Sequence, residues 1–85
     1  MKFKLERDSY QLLITVPEVK QYIDEVTKID QVIKFKIKKE DIREVQLLIN
    51  DEIVLHGMDN QDIVNELGLK LYKLYDEILY QKNNQ

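Results

Sequence analysis

The chain contains no cysteine. Disulfide bonds, zinc sites with thiolate ligands and thiol nucleophiles are therefore excluded. A secreted domain of 85 residues usually needs disulfides to supplement its small core. The absence of cysteine favours a reducing compartment, and we expect a cytoplasmic protein.

Glycine, serine and histidine are also scarce, which removes most catalytic and phosphate-binding motifs. The only glycines are Gly57 and Gly68, and neither lies in a phosphate-cradling loop. Ser9, the sole serine, has no nucleophile motif around it. The acidic residues are spread along the chain rather than paired for acid–base chemistry. We therefore expect no enzyme, no catalytic residue and no cofactor.

Long hydrophobic runs are missing as well, since no wholly apolar run exceeds three residues. A helix that crosses a bilayer needs about 20 apolar residues. Residues 1–8 have neither the apolar segment nor the cleavage site of a signal peptide. The sequence predicts a protein without membrane contact.

Charge of one sign is not dominant: sixteen acids and thirteen bases are interspersed, for a formal net charge of −3. A nucleic-acid binder normally shows a basic excess, so nucleic acid is not the expected partner. Eleven of the bases are lysines, and alanine and tryptophan are absent. This bias is typical of an AT-rich genome and compatible with a bacterial or phage origin. The length predicts one domain over residues 1–85, with 81–85 as a frayed polar tail.

The N-terminal part alternates between apolar and polar residues. Phe3 and Leu5 share one face, and four apolar side chains between Tyr10 and Val16 share another. With Arg7-Asp8-Ser9 as a turn, residues 2–16 are predicted to form a hairpin. A leucine-rich run at this place is also compatible with a helix.

Pro17 changes the pattern, because it favours an extended residue before it and the first position of a helix. Residues 18–29 then place five apolar side chains on one helical stripe, which predicts a short amphipathic helix. These side chains are Val19, Tyr22, Ile23, Val26 and Ile29.

The next segment is the clearest strand. In residues 32–38, Ile33, Phe35 and Ile37 face one way and three lysines face the other. Residues 45–57 are predicted to form a second hairpin. A three-residue loop over 50–52 would unite the apolar side chains of both arms on one face, and Leu47, Ile49, Ile53 and Leu55 of that face are expected in the core.

The last element has the strongest helical pattern. Apolar residues recur every three or four positions from Val64 to Ile78, so a long helix is predicted over 60–82. Asp59 is the expected N-cap with Asp62 as its partner, and Gly68 is expected to mark close packing against the sheet. The predicted fold class is α+β. An antiparallel sheet of three to five strands would carry the helices 18–29 and 60–82, in the order ββαβββα.

One group of residues has the composition of a metal site. His56, Asp59 and Asp62 recur at intervals of three, but a transition-metal site normally uses more than one histidine or thiolate. Acids also belong at the start of a helix. We interpret the group as structural and expect no metal.

Two surfaces remain as candidates for binding. Lys34, Lys36 and Lys38 form a candidate electrostatic surface, although charges on a strand are also typical of a solvated face. Exposed apolar residues form a candidate protein interface, because apolar clusters rimmed by charge often mark such sites. Its members are Leu48 and Val54 on the lysine-bearing sheet face, and Leu69, Tyr72 and Tyr80 on the last helix. The alternative is that a hairpin or helix covers the sheet face.

The favoured hypothesis is a small non-enzymatic protein-interaction or regulatory module. Its expected partner is a protein, with a second copy of the chain (a homodimer) as the simplest case. The alternatives are a nucleic-acid accessory protein that uses the lysine-bearing face, and an acidic inhibitor of a nucleic-acid enzyme.

Overall fold

A computed structural model describes residues 1–59, 61 and 63–85, and among these a three-stranded antiparallel sheet packs on three helices. The predicted α+β class is confirmed, including the long C-terminal helix. The order βαββαα follows the prediction only roughly, because three segments form a different element. The elements are β1 (Lys2–Glu6), α1 (Arg7–Thr15), β2 (Ile23–Ile29), β3 (Val32–Ile37), α2 (Ile42–His56) and α3 (Glu66–Asn83), with short 3₁₀ helices at Val19–Tyr22 and Lys39–Asp41.

The sheet has the order β1-β3-β2, so the predicted strand of residues 32–38 is its centre. Phe3 lies opposite Phe35 with the ring centroids 5.8 Å apart, and Leu5 lies opposite Ile33. These four side chains are buried beneath the helices. Because side chains alternate along a strand, the intervening residues lie on the other face of the sheet, where Lys2, Lys4 and Lys34 are exposed.

The predicted N-terminal hairpin is wrong in its second half. β1 forms as a strand, but Arg7-Asp8-Ser9 is the first turn of α1. Tyr10 and Leu13 are three residues apart, so a helix brings both into the core. The helical alternative for this leucine-rich run is the one that the structure adopts.

Pro17 ends a helix rather than starting one. Val16 is extended, as expected before proline, and its carbonyl accepts a hydrogen bond from the Val19 N–H at 3.3 Å. Glu18 has φ 69°, so Pro17 and Glu18 are the central residues of a type II-like turn.

The predicted helix 18–29 is also wrong, since residues 23–29 form β2. Four of these seven residues are β-branched, which favours a strand. A tight turn at Asp30-Gln31, with Asp30 at φ 54°, then returns the chain into β3. Pairing with β3 outweighs the weak helical stripe.

The predicted hairpin 45–57 is a helix, α2. Ile42, Val45, Ile49 and Ile53 are spaced by three, four and four residues, and all are almost completely buried. Leu47 and Leu55, predicted to be in the core, are instead exposed. A side chain two positions from a buried one points to the other side of a helix, whereas in a strand it would share the buried face.

The predicted C-terminal helix is confirmed as α3, although it begins at Glu66. Asn65 is its N-cap and accepts a hydrogen bond from the Gly68 N–H at 2.8 Å. Asp59 instead accepts hydrogen bonds from the Gln61 and Ile63 N–H groups in the connector. Asp62, its expected partner, lies outside the described residues.

Gly68 marks a close approach, but to α2 rather than to the sheet. A Cβ at Gly68 would lie 2.2 Å from the carbonyl oxygen of Gly57. The Gly57 carbonyl also accepts a hydrogen bond from the Asn65 N–H at 2.9 Å. These contacts fix the end of α2 against the first turn of α3, while the middle of α3 supplies core residues such as Leu71 and Ile78.

Candidate interaction surfaces

Four lysines occupy the open face of the sheet. The register places Lys2 opposite Lys36 and Lys4 opposite Lys34, so the set forms two cross-strand pairs on β1 and β3. We call Lys2, Lys4, Lys34 and Lys36 the lysine face.

The pairs belong to the closer of the two antiparallel geometries. Met1 and Ile37 exchange backbone hydrogen bonds, so the next pair, Lys2 with Lys36, has no bond between its own backbone groups. Such partners have Cα atoms only about 4.5 Å apart, and their side chains lie closest. Like charges directly opposite each other are destabilising.

Two glutamine side chains, Gln81 of α3 and Gln85 just after it, form hydrogen bonds with the outer edge of β1. Gln81 accepts a hydrogen bond from the Lys4 N–H at 2.9 Å and donates one to the Lys4 carbonyl at 2.7 Å. Gln85 makes the equivalent two bonds with Lys2. The end of the chain, predicted as a frayed tail, is thus helical to Asn83 and bonded to the sheet.

The last turns of α3 and the lysine face border an open groove of about 660 Å³. Glu77 and Tyr80 of α3 line one side of it, and Glu25 and Thr27 of β2 line the other. Tyr80 is 64% exposed, so its ring is available to a ligand in the groove.

One lysine of the face is neutralised within the protein. The Lys36 ammonium lies 2.7 Å from the Glu25 carboxylate, at a bulge where Glu25 has φ 51°. The hydrogen bond and the positive charge of Lys36, together with the charge of Lys2, hold the pKa of the Glu25 carboxyl below its ordinary value. Among the described residues, Lys2, Lys4 and Lys34 form no such ion pair.

The open face of the sheet therefore holds lysines that the predicted electrostatic surface did not include. Lys34 and Lys36 lie on the open face as expected, whereas Lys38 follows the end of β3 and is exposed there. Sequence reasoning missed Lys2 and Lys4. Their alternation with Phe3 and Leu5 was visible, but the pairing of β1 with β3 was not.

A second surface lies where α2 meets α3. The contact between Gly57 and Gly68 brings the last turn of α2 beside the first turn of α3. Large apolar side chains lie near this contact, with exposures between 57% for Ile63 and 71% for Leu55. We call them the junction surface: Val54 and Leu55 on α2, Ile63 in the connector, and Leu69 on α3. Leu67 lies on the core-facing side of α3 and is 37% exposed.

The predicted protein-interface residues are distributed differently from the expectation. Leu48 and Val54 do not share a lysine-bearing sheet face, because both lie on α2; Leu48 packs partly against the core and Val54 is exposed. Leu69, Tyr72 and Tyr80 are exposed on one side of α3, within an arc of ~80°. Leu69 belongs to the junction surface and Tyr80 to the groove.

The group at the end of α2 shows no metal-binding arrangement in the described part of the chain. His56 Nδ1 lies 2.6 Å from the Glu52 carboxylate, one helical turn earlier. The Asp59 carboxylate accepts hydrogen bonds from two backbone N–H groups of the connector. Asp62 lies outside the described residues.

No helix among residues 1–59 and 63–85 combines the length and the apolar character needed to span a membrane. Comparison of the chain with protein families, with curated proteins and with solved structures finds no match. Function is therefore inferred from the lysine face and the junction surface themselves.

Proposed function

We propose that this protein is a non-enzymatic, cytoplasmic interaction module whose junction surface binds an amphipathic helix of a partner protein. The observation that carries the proposal is the concentration of exposed apolar side chains at the meeting of α2 and α3. Burial of such side chains favours association, because it removes apolar surface from water. Single exposed apolar residues are ordinary, but four near one helix contact are typical of a binding site.

The charges around the junction surface indicate the chemistry of the partner. Asp51, Asp59 and Glu66 are exposed acids in this region, and Lys70 lies within 3.8 Å of Glu66. A partner helix with lysine or arginine beside its apolar face would complement this rim. A second copy of the chain would instead bring two acidic rims together, so homodimerisation is the competing outcome.

The absence of tryptophan permits a direct binding assay. The probe is a synthetic 18-residue helical peptide with a leucine face, lysines beside it and one tryptophan in the apolar face. We expect its fluorescence to shift to shorter wavelength on binding. A peptide with glutamates in place of the lysines should bind at least tenfold more weakly.

Matched variants locate the site. Leu55→Ser should weaken binding of the lysine peptide about fivefold or more, because truncation of a buried apolar anchor costs 1 kcal/mol or more. Ile29→Ser, an exposed apolar residue of β2 away from the junction surface, should leave binding unchanged. Equal binding by both variants, or equal binding of both peptides, would overturn the proposal. A dimer mass in light scattering that Leu55→Ser reduces to the monomer, without peptide binding, would assign the surface to a second copy.

A further inference from the structure

We expect the lysine face to reduce the stability of the fold, because like charges directly opposite each other on a sheet are destabilising. Lys2 with Lys36 and Lys4 with Lys34 place like charges opposite each other in the closest cross-strand geometry. A threonine or glutamine at any of these exposed positions would preserve the alternation without the repulsion. Only Lys36 is relieved by an ion pair within the described part of the chain. An anionic ligand would relieve the remaining three.

The charges are gathered on one face although the chain as a whole is acidic. Four lysines line the groove against two acids, Glu25 and Glu77, whereas acids outnumber bases in the chain as a whole. The lysine face therefore attracts an anion locally, while the net charge of −3 opposes strong non-specific attraction over longer distances.

The shape of the site favours an extended chain of anions. Lysines two apart on a strand are separated by about 7 Å, and both β1 and β3 carry such a pair. The lysine face is therefore long enough to contact more than one phosphate group. The groove is bordered by α3 on one side and by β2 on the other.

Tyr80 adds a second kind of contact. Its exposed ring lines the same groove as the four lysines. A positively charged groove beside an aromatic ring is the combination with which proteins hold single-stranded nucleic acids, by phosphate contact and base stacking. We propose that the lysine face binds single-stranded nucleic acid through its phosphates, with Tyr80 stacked on one base.

The acids in the groove limit the strength of this interaction. Glu25 neutralises Lys36, and Glu77 accepts a hydrogen bond from Gln81 at 2.8 Å beside the lysines. Three to four phosphates are therefore contacted. Since each contact contributes about −0.7 to the salt dependence for a single strand, log K should fall with log [salt] with a slope between about −2 and −3.

The test is fluorescence anisotropy with a labelled 15-nucleotide oligothymidine, and with the RNA of matching sequence, over a series of salt concentrations. The probe should bind at low salt with the slope given above. Lys4→Gln and Lys34→Gln should each reduce the slope by about 0.7. Lys20→Gln, which removes a charge outside the lysine face, should leave the slope unchanged.

Tyrosine variants separate stacking from charge. Tyr80→Ala should weaken binding about fivefold or more without altering the slope. Tyr72→Ala, an exposed tyrosine of the same helix outside the groove, should have no effect. Absence of binding at low salt, or identical slopes for all lysine variants, would overturn the inference. Equal affinity for a duplex of the same length, or for vesicles with anionic lipid, would overturn the assignment to single strands.

Discussion

Gln46 is a buried polar residue without a complete set of hydrogen bonds. It lies on the core-facing side of α2 and is 7% exposed. Its Nε2 is the one buried side-chain nitrogen or oxygen in the described residues that has no hydrogen-bond partner. An unsatisfied buried donor costs about 1–3 kcal/mol.

We predict that Gln46→Met stabilises the fold. Methionine has nearly the same length and helix propensity, so the substitution removes the unpaired amide without opening a cavity. The free energy of unfolding should rise by about 1 kcal/mol. Urea denaturation measures this as a higher midpoint with an unchanged slope. Gln11→Met, on the exposed side of α1, should leave the midpoint unchanged, and a lower midpoint for Gln46→Met would show that the amide is bonded.

At the scale of the elements, the packing of α3 on α2 depends on two glycines. In an isolated helix Gly68→Ala would stabilise by about 1 kcal/mol. Here the new Cβ would lie 2.2 Å from the Gly57 carbonyl oxygen and 2.7 Å from Val64 Cγ1. The Gly57 oxygen is held by the Asn65 N–H, so the clash involves backbone that cannot move easily.

We therefore predict that Gly68→Ala destabilises the protein by about 2 kcal/mol, because overpacking outweighs the gain in helix propensity. The midpoint of thermal unfolding should fall by several degrees. Lys70→Ala, two positions later in the same helix, should change it little. A higher midpoint for Gly68→Ala would mean that the two helices are less closely packed than this structure shows.

The elements also show what the sequence could and could not predict. β3 and α3 were predictable because each has one clear periodicity, of two residues in Ile33–Ile37 and of three to four in Leu71–Ile78. α2 contains many isoleucines and valines, and its residues satisfy a hairpin pattern as well as a helical one. The helical pattern is clear only when Ile42 is grouped with Val45 and Ile49. That grouping requires the turn before Ile42 to be recognised as the start of a helix.

The wrongly predicted elements also led to errors in the predicted surfaces. Leu55 was assigned to the core because a strand would bury it with Ile53, and the correct helix exposes it. Lys2 and Lys4 joined the lysine face only through the pairing of β1 with β3, which is a long-range contact. Local pattern determines which face a side chain shares within its element, but not which elements are neighbours.

At the scale of the whole molecule, the distribution of charged residues is expected to lower the free energy of unfolding. The protein is acidic, yet its open sheet face holds four lysines in two opposed pairs. From net charge alone, removal of a lysine should increase self-repulsion and destabilise the fold. From the local geometry, removal of Lys34 should relieve repulsion with Lys4.

We predict that the local term prevails for Lys34→Gln, with a gain of about 0.5 kcal/mol in the free energy of unfolding at low salt. The gain should nearly disappear in 1 M salt, where the screening length is only about 3 Å. Lys20→Gln makes the same change in net charge away from the lysine face and should stabilise at neither salt concentration. Denaturant titrations of the three proteins at both salt concentrations measure the difference.

The stability and binding results together test the role of the lysines. A variant that folds more stably and also binds oligothymidine less tightly would show that these lysines serve a ligand, since loss of binding through unfolding requires a decrease in stability. If Lys34→Gln is no more stable than the parent protein at low salt, the opposed lysines cost nothing, and the inference from their repulsion fails.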